Sequence, residues 1–179
     1  MFSENASSAD NQQERFPKSV DSLKYYLSGF TDGEGCFSIS VHRSKYRALK
    51  WNMNPFFQVY QHKDNDYVLH LFKKVLSCGY VSKKGGNPLC HVYCVDKISD
   101  LLDHVIPFFD SYKLLGNKHL DFLLFKEITL AISKKEHLTK RGFVRLTKLA
   151  FKMNGEGKHR KTKIEEIINS LGKSSEAKR

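Results

Sequence analysis

The sequence predicts an α+β fold in a single domain. Polar and apolar residues alternate with a period of two in several short segments, which is typical of half-buried strands, and apolar residues recur at helical spacing between them. The order along the chain is helix, two strands, helix, two strands and then further helices. A length of 179 residues, with 40% hydrophobic residues, suits one domain with a sizeable core.

Composition sets the expected domain boundaries. Residues 1–18 are polar and lack periodicity, so we expect a disordered N-terminal arm. Residues 19–171 are expected to form the single folded domain, and residues 172–179 a flexible tail.

The elements follow from caps, periodicity and turn residues. Ser19 or Asp21 can cap a helix that begins near Ser22, and Gly33 and Gly35 are expected to end it. The next segments are a strand at 37–41, a basic hairpin loop at 43–51, a strand at 54–63, a helix at 64–76, and a second hairpin at 78–84 and 89–95 that turns at 85–87.

The second half of the chain is predicted to be helical. Asp96 or Ser99 opens a helix whose last turn Pro107 would disturb. A long amphipathic helix spans 118–134, and two more helices lie near 138–153 and 161–171.

The net charge of +11 points to a polyanionic partner, either nucleic acid or an anionic membrane surface. Residues 36–95 carry nine basic and two acidic residues, and residues 134–179 carry fourteen basic and five acidic residues. Solubility alone would explain a positive charge, but it would not require this segregation. No apolar run approaches the roughly 20 residues that span a bilayer, and four cysteines do not make a disulfide framework.

The segment 27–35 is the candidate for chemistry. Gly29 and Gly33 lie four residues apart on one helix face, so two such helices can approach closely there. If two chains pair along this face, their Glu34 carboxylates converge, and converging carboxylates bind a hard cation such as Mg²⁺. The alternative is an amphipathic helix that ends at glycine with an exposed Glu34.

This segment resembles the LAGLIDADG motif of homing endonucleases, with Leu27, Gly29, Asp32 and Gly35 as matching letters. The predicted element order also resembles the αββαββα core of that family. The segments 57–61, 79–81 and 106–109 are similar to family members, so the resemblance covers some 110 residues.

The resemblance implies a saddle-shaped antiparallel sheet that binds double-stranded DNA, followed here by extra C-terminal helices. It further implies an intron-encoded, site-specific endonuclease that uses Mg²⁺ to break both strands. A chain with one motif is expected to act as a homodimer. No membrane partner is expected. The expected interface residues are Leu27, Ser28, Gly29, Asp32 and Gly33. An intron-splicing maturase that binds intron RNA, and a DNA-binding regulator with an inactive site, remain alternatives.

The same resemblance implies roles for individual residues. Glu34 and the carbonyl of Gly33 would hold the metal, and Gln61 would hold the nucleophilic water. Lys118, or alternatively Lys113, would be the basic residue beside the scissile phosphate. The alternative is that Gln61 and either lysine are ordinary surface residues.

Strand alternation and charge give the expected DNA contacts. On the sheet they are Ser38, Ser40, His42, Asn52, Asn54, Phe56, Gln58, Ser82, Lys84, Leu89, His91 and Tyr93, with Arg43, Lys45, Arg47 and Lys50 in the first hairpin loop. Cys90, Val92 and Cys94 are expected to face the core. Phosphate contacts are expected from a C-terminal basic block that includes Lys140, Arg141, Lys158, Arg160 and Lys161, although this block also reads as a solvated helix face. The expected location is intracellular, in an organelle or in a bacterial or archaeal cytoplasm.

Overall fold

Four strands and six principal helices make up the part of the chain that the computed structural model describes, residues 19–156 and 160–173. The expected arm at 1–18 and the end of the expected tail, 174–179, lie outside the described residues. The first six elements are α1 (Val20–Glu34), β1 (Gly35–Arg43), β2 (Trp51–His62), α2 (Tyr67–Leu76), β3 (Tyr80–Lys84) and β4 (Asn87–Val95).

The later elements are helical, as predicted. They are α3 (Ile98–Asp100, a π-helical turn at Leu101–Val105, and Ile106–Ser111), α4 (Lys118–Ser133), α5 (Lys140–Ala150) and α6 (Ile164–Lys173). The α+β class and the αββαββα order are therefore confirmed. No helix among the described residues is both long and apolar enough to cross a membrane.

The four strands form one antiparallel sheet in the order β1-β2-β4-β3. Val59 pairs with Gly35 on one side and with Tyr93 on the other, whereas Gln58 pairs with Cys36 and Cys94. Since successive side chains point to opposite faces, this register fixes which residues the two faces carry.

One face of the sheet is covered by helices through an aromatic core. The Phe37 ring lies 5.1 Å from Phe109 of α3 and 5.4 Å from Phe122 of α4, and the Phe57 ring lies 6.1 Å from Phe72 of α2. All five rings are fully or almost fully buried. Burial of each such side chain stabilises the folded state by about 1.5–3 kcal/mol. This face of the sheet therefore stabilises the fold, and the opposite face is available for binding.

The N-cap of α1 was predicted correctly, whereas the end of the helix was predicted only in part. Ser19 is the N-cap, with its Oγ accepting from the Ser22 amide at 3.0 Å. The prediction that Gly33 ends the helix was wrong, because α1 runs through Gly33 to Glu34. Gly35 then opens β1 in an extended conformation, and a Cβ there would lie only 2.8 Å from the Thr31 carbonyl oxygen.

The turn before Pro107 is irregular, as predicted, although the helical segment continues beyond the proline. The π-helical turn precedes it, with the Ile106 amide donating to the Leu101 carbonyl, and the helix continues to Ser111. Pro107 thus stands at the start of a new α-helical register, where a missing amide hydrogen costs little.

The side-chain alternation of β4 was predicted one residue out of register. Tyr93 is fully buried opposite Val59, and the Nδ1 atom of His91 lies 2.6 Å from Asp66 Oδ2, on the core side. Leu89 is exposed and lies beside the register shift between β3 and β4, so its predicted contact with DNA stays a prediction. Cys90, Val92 and Cys94 instead lie on the face of Gln58, so their predicted core orientation was wrong.

The C-terminal helices secure the outer edge of β1. Asn154 Nδ2 donates to the Phe37 carbonyl at 2.9 Å, and Arg160 donates to the Ile39 and Ala150 carbonyls, each at 2.8 Å. Trp51 Nε1 donates to Ser170 Oγ of α6 at 2.8 Å. Arg160 therefore supports the fold, and its predicted phosphate contact stays a prediction.

Candidate active site and nucleic-acid interface

The end of α1 separates residues that support the fold from residues that face solvent. Leu27 is fully buried, and Ser28 is buried with its Oγ donating to the Tyr112 carbonyl at 2.8 Å. Both side chains pack within their own chain, and Ser28 also lines the groove beside α1, so their predicted place in a dimer interface stays a prediction. Asp32 also turns inward, since its Oδ2 accepts from the amides of Leu115 (2.9 Å) and Gly116 (3.1 Å).

Gly29 and Gly33 lie on the outer face of the same helix. Both are exposed, and among the described residues no atom outside the adjoining helix backbone lies within 4 Å of a Cβ placed on either one. Tyr25 and Leu115 flank a groove on this face and are 61% and 95% exposed. This face of α1 is therefore open and partly apolar within one chain.

Glu34 is the last residue of α1, and its side chain is exposed. The Lys118 ammonium donates a hydrogen bond to the carbonyl of Gly35, the residue that follows Glu34. Lys113, by contrast, lines the groove beside the outer face of α1, together with Tyr25 and Gly29. Of the two candidate lysines, Lys118 is the one that the structure brings to the end of the motif.

Gln61 reaches the same region from β2. Val59 pairs with Gly35, and Gln61 lies two residues further along the strand, about 7 Å towards the end of α1. Gln61 is half-buried, and its Oε1 accepts from the His62 amide at 2.7 Å, which leaves its NH₂ group free to donate. The end of α1, the end of β2 and the start of α4 thus meet at one corner of the sheet.

The sheet face away from the helices is polar, as the sequence predicted. The register pairs Ser38 with Phe56, Ser40 with Asn54 and His42 with Asn52. Ser82 and Lys84 join this face from β3: Ser82 pairs with Val92, and the Lys84 ammonium lies 4.6 Å from the Tyr60 ring centroid. We call these residues, with Gln58 and Tyr60, the open face.

Side chains on the open face hold one another in pairs along the strands. Asn52 Nδ2 donates to Asn54 Oδ1 at 3.0 Å, and Ser40 Oγ lies 3.3 Å from His42 Nδ1. The hydroxyl of Tyr60 donates to Gln58 Oε1 at 2.6 Å. Tyr60 lies on this face, as its alternation with Gln58 predicts, but it was not among the predicted DNA contacts.

The predicted basic contacts differ in how their side chains are held. Arg43 stacks over Trp51 at 4.8 Å and pairs with Glu166 of α6 at 3.2 Å. The remaining predicted phosphate or base contacts with exposed side chains are Lys45, Arg47, Lys50, Lys140, Arg141 and Lys161. Burial, and then the charge of Arg47, lowers the pKa of His137, so the first hairpin loop lies near the segment before α5. Lys158 lies outside the described residues.

Comparison with known proteins identifies the family to which the sequence is similar. Residues 27–129 match the family model described as LAGLIDADG endonuclease. The probable intron-encoded endonuclease 2 of Neurospora crassa is 33% identical over 124 residues, which cover 69% of this chain and 26% of that protein. This chain spans about a quarter of the length of the first curated relatives that it matches.

Two solved structures show the same fold at similar identity. The archaeal intron-encoded homing endonuclease I-Vdi141I complexed with DNA has a TM-score of 0.81 and 30% identity, covering 88% of this chain and 99% of that chain. I-SmaMI bound to an uncleaved DNA target in the presence of calcium ions has a TM-score of 0.71 and 27% identity, covering 83% of this chain and 48% of that chain. With the family model matching more than half of its length, the chain belongs to the LAGLIDADG endonuclease family.

Proposed function

We propose that the chain is an intron-encoded, site-specific DNA endonuclease. It acts as a homodimer and hydrolyses one phosphodiester in each strand with a bound divalent cation, Mg²⁺ in the cell. The observation that carries this proposal is that Lys118 donates to the carbonyl next to Glu34, at the corner of the sheet towards which Gln61 extends from β2. That corner is where a duplex lying on the open face would present its backbone.

The open face has the character of a DNA-reading surface. A two-stranded ribbon fits the major groove, and amides, hydroxyls and a lysine can read base edges there. Asn52, Asn54 and Gln58 bring amide groups, which pair well with adenine, and Lys84 suits guanine. The exposed basic residues around it would bind phosphates, so binding weakens with salt.

The residues at the corner fit a hard divalent cation. Mg²⁺ prefers oxygen ligands in octahedral geometry, which the exposed Glu34 carboxylate and the Gly33 carbonyl can begin to supply. A second Glu34 from a partner, phosphate oxygens and water would complete the set. When bound, the cation would lower the pKa of water and neutralise charge on the phosphate.

The side chains then have separable tasks. Lys118, already held at the Gly35 carbonyl, would place its ammonium beside the scissile phosphate and stabilise developing negative charge. Gln61 would donate its free NH₂ to the attacking water and hold it in line. Both residues would act from their places in the fold, Lys118 at the start of α4 and Gln61 at the end of β2.

A second copy fits the open side of α1. Gly29 and Gly33 leave room for a close helix crossing, and the exposed Tyr25 and Leu115 would bury apolar area in the pair. This chain matches 48% of the DNA-bound I-SmaMI chain, which is the share expected if two copies of this chain do the work of one longer chain.

The test is cleavage of a plasmid that carries a target selected from a randomised duplex pool. With Mg²⁺, the wild type should linearise the plasmid, whereas Glu34→Gln should bind it and leave it supercoiled. Glu165→Gln, which changes an exposed carboxylate on α6, is the matched control and should cleave normally. Normal cleavage by Glu34→Gln would contradict the proposal. Splicing of the host intron RNA that survives Glu34→Gln, without cleavage by the wild type, would establish the maturase instead.

A further inference from the structure

Tyr60 stands between two of the side chains expected to read bases. Its hydroxyl lies 2.6 Å from Gln58 Oε1 on the same strand, and its ring centroid lies 4.6 Å from the Lys84 ammonium on β3. One side chain therefore touches two expected readers that come from different strands.

The Gln58 amide is held at both ends. Its Oε1 accepts from Tyr60, and its Nε2 lies 3.5 Å from the Cys94 sulfur, to which it donates. Burial, and then the neighbouring thiols of Cys36, Cys94 and Cys90, raises the pKa of Tyr60, so its hydroxyl stays protonated and stays a donor. A glutamine held in this way keeps its oxygen and nitrogen ends in one order instead of exchanging them.

Lys84 is held by a different part of the same ring. Its ammonium lies over the aromatic face, where the ring quadrupole attracts a cation. Lys84 also follows a register shift between Lys83 and Lys84, so the strand geometry alone does not fix its direction. The ring supplies the missing constraint.

We propose that Tyr60 is a specificity-determining positioning residue, which fixes the hydrogen-bonding pattern that Gln58 and Lys84 present to the bases of the DNA target. This inference rests on the proposed function. It also assigns two separable parts to one side chain, since the hydroxyl acts on Gln58 and the ring acts on Lys84.

The physical reason is preorganisation. A mobile glutamine or lysine can adapt to several base edges, so it contributes affinity with little discrimination. A side chain that is already fixed loses less entropy on binding and cannot adapt to the wrong base. Removing the restraint should therefore relax sequence preference at a defined position more than it weakens binding overall.

The experiment measures binding to single-base variants of a duplex selected by the wild type from a randomised pool. Gln58→Ala and Lys84→Ala first identify the base pair that each residue reads. Tyr60→Phe should then reduce discrimination between base pairs about fivefold, and only at the base pair that Gln58 reads. About fivefold is the effect of losing one neutral hydrogen bond. Tyr60→Leu should reduce it at both pairs, by about twofold to fivefold at the Lys84 pair. Tyr46→Phe, at a tyrosine that is 96% exposed, is the matched control and should change neither.

A second measurement uses the free protein. The side-chain NH₂ resonances of Gln58 should shift and broaden in Tyr60→Phe but not in Tyr46→Phe. Unchanged discrimination in Tyr60→Phe at the base pair that Gln58 reads, or an equal loss of discrimination at every base pair, would overturn the role of Tyr60. In that case, sequence-selective binding by the wild type would leave the proposed function standing. A wild type that selects no duplex from the pool would overturn the proposed function itself, and with it this role.

Discussion

Lys113 and Lys118 belong to the same loop-to-helix segment, yet the fold gives them different surroundings. Lys118 donates to the Gly35 carbonyl beside Glu34, whereas Lys113 faces the groove along α1. The sequence predicted a lysine in this segment but left two candidates, because a loop has no periodicity to fix its side chains. The backbone contact to Gly35 distinguishes them.

The first prediction follows from that contact. Lys118→Met should lower the single-turnover cleavage rate by about 100-fold, the usual effect of removing one group that stabilises charge in the transition state. DNA affinity should fall by less than about tenfold, because one phosphate contact is lost at most. Lys113→Met is the control, and its cleavage rate should stay within about twofold of wild type. A loss of activity in Lys113→Met with normal Lys118→Met would reverse the assignment.

At the residue scale, the motif itself was only partly predictable. Gly29, Gly33 and Glu34 are exposed as the helical spacing predicts. Leu27, Ser28 and Asp32 turn into their own chain because each meets a partner distant in sequence, such as the Tyr112 carbonyl or the amides of Leu115 and Gly116. Such contacts leave no local pattern in the sequence.

At the element scale, alternation predicted β1 and β2 well and failed on β4. Phe37, Ile39 and Val41 alternate cleanly with serine and histidine, so the core side is evident. In β4 the run from Cys90 to Val95 contains small or apolar residues at nearly every position, and both registers fit the pattern. The pairing of Tyr93 with Val59, and of His91 with Asp66, decides between them.

The C-terminal helices show how an exposed edge is protected. β1 is an edge strand, and the side chains of Asn154 and Arg160 satisfy two of its carbonyls. Burial lowers the pKa of Arg160, whose guanidinium also lies 4.7 Å from the Phe151 ring centroid. Charge counting alone assigned this arginine to DNA, since a sequence does not distinguish a structural cation from a solvated one.

The second prediction contrasts Arg160 with its neighbour. Arg160→Met should lower the free energy of unfolding by about 2 kcal/mol, because two charge-assisted hydrogen bonds to backbone carbonyls are lost. The melting temperature should fall by about 4–8 °C. Lys161→Met should leave the melting temperature unchanged and weaken DNA binding, with a smaller dependence of affinity on salt. Equal melting temperatures for the two variants would refute the structural role of Arg160.

At the scale of the whole molecule, the fold divides its surface by task. Helices cover one sheet face, polar side chains line much of the other, and the outer side of α1 is open in the part of the chain that the structure describes. A single chain presents one motif helix and therefore one Glu34. The proposed cleavage of two strands calls for two such corners, which a two-fold symmetric pair along α1 would provide.

The third prediction concerns that pairing. Gly29→Leu should abolish dimerisation and double-strand cleavage, because the added side chain fills the space needed by the partner helix. The monomer fold should survive, since within residues 19–156 and 160–173 no atom outside the adjoining helix backbone lies within 4 Å of a Cβ at Gly29. Sedimentation velocity and far-ultraviolet circular dichroism measure the two effects. Ser133→Leu, at an exposed position of α4, is the control and should remain dimeric.

The most direct measurement is the number of chains bound to one duplex. Native mass spectrometry of the wild type with its selected duplex, in Ca²⁺ to hold the DNA uncut, should give two chains of 20.7 kDa on each duplex. Addition of Mg²⁺ to that complex should break both strands. One chain per duplex in a complex that still cuts both strands would contradict the account.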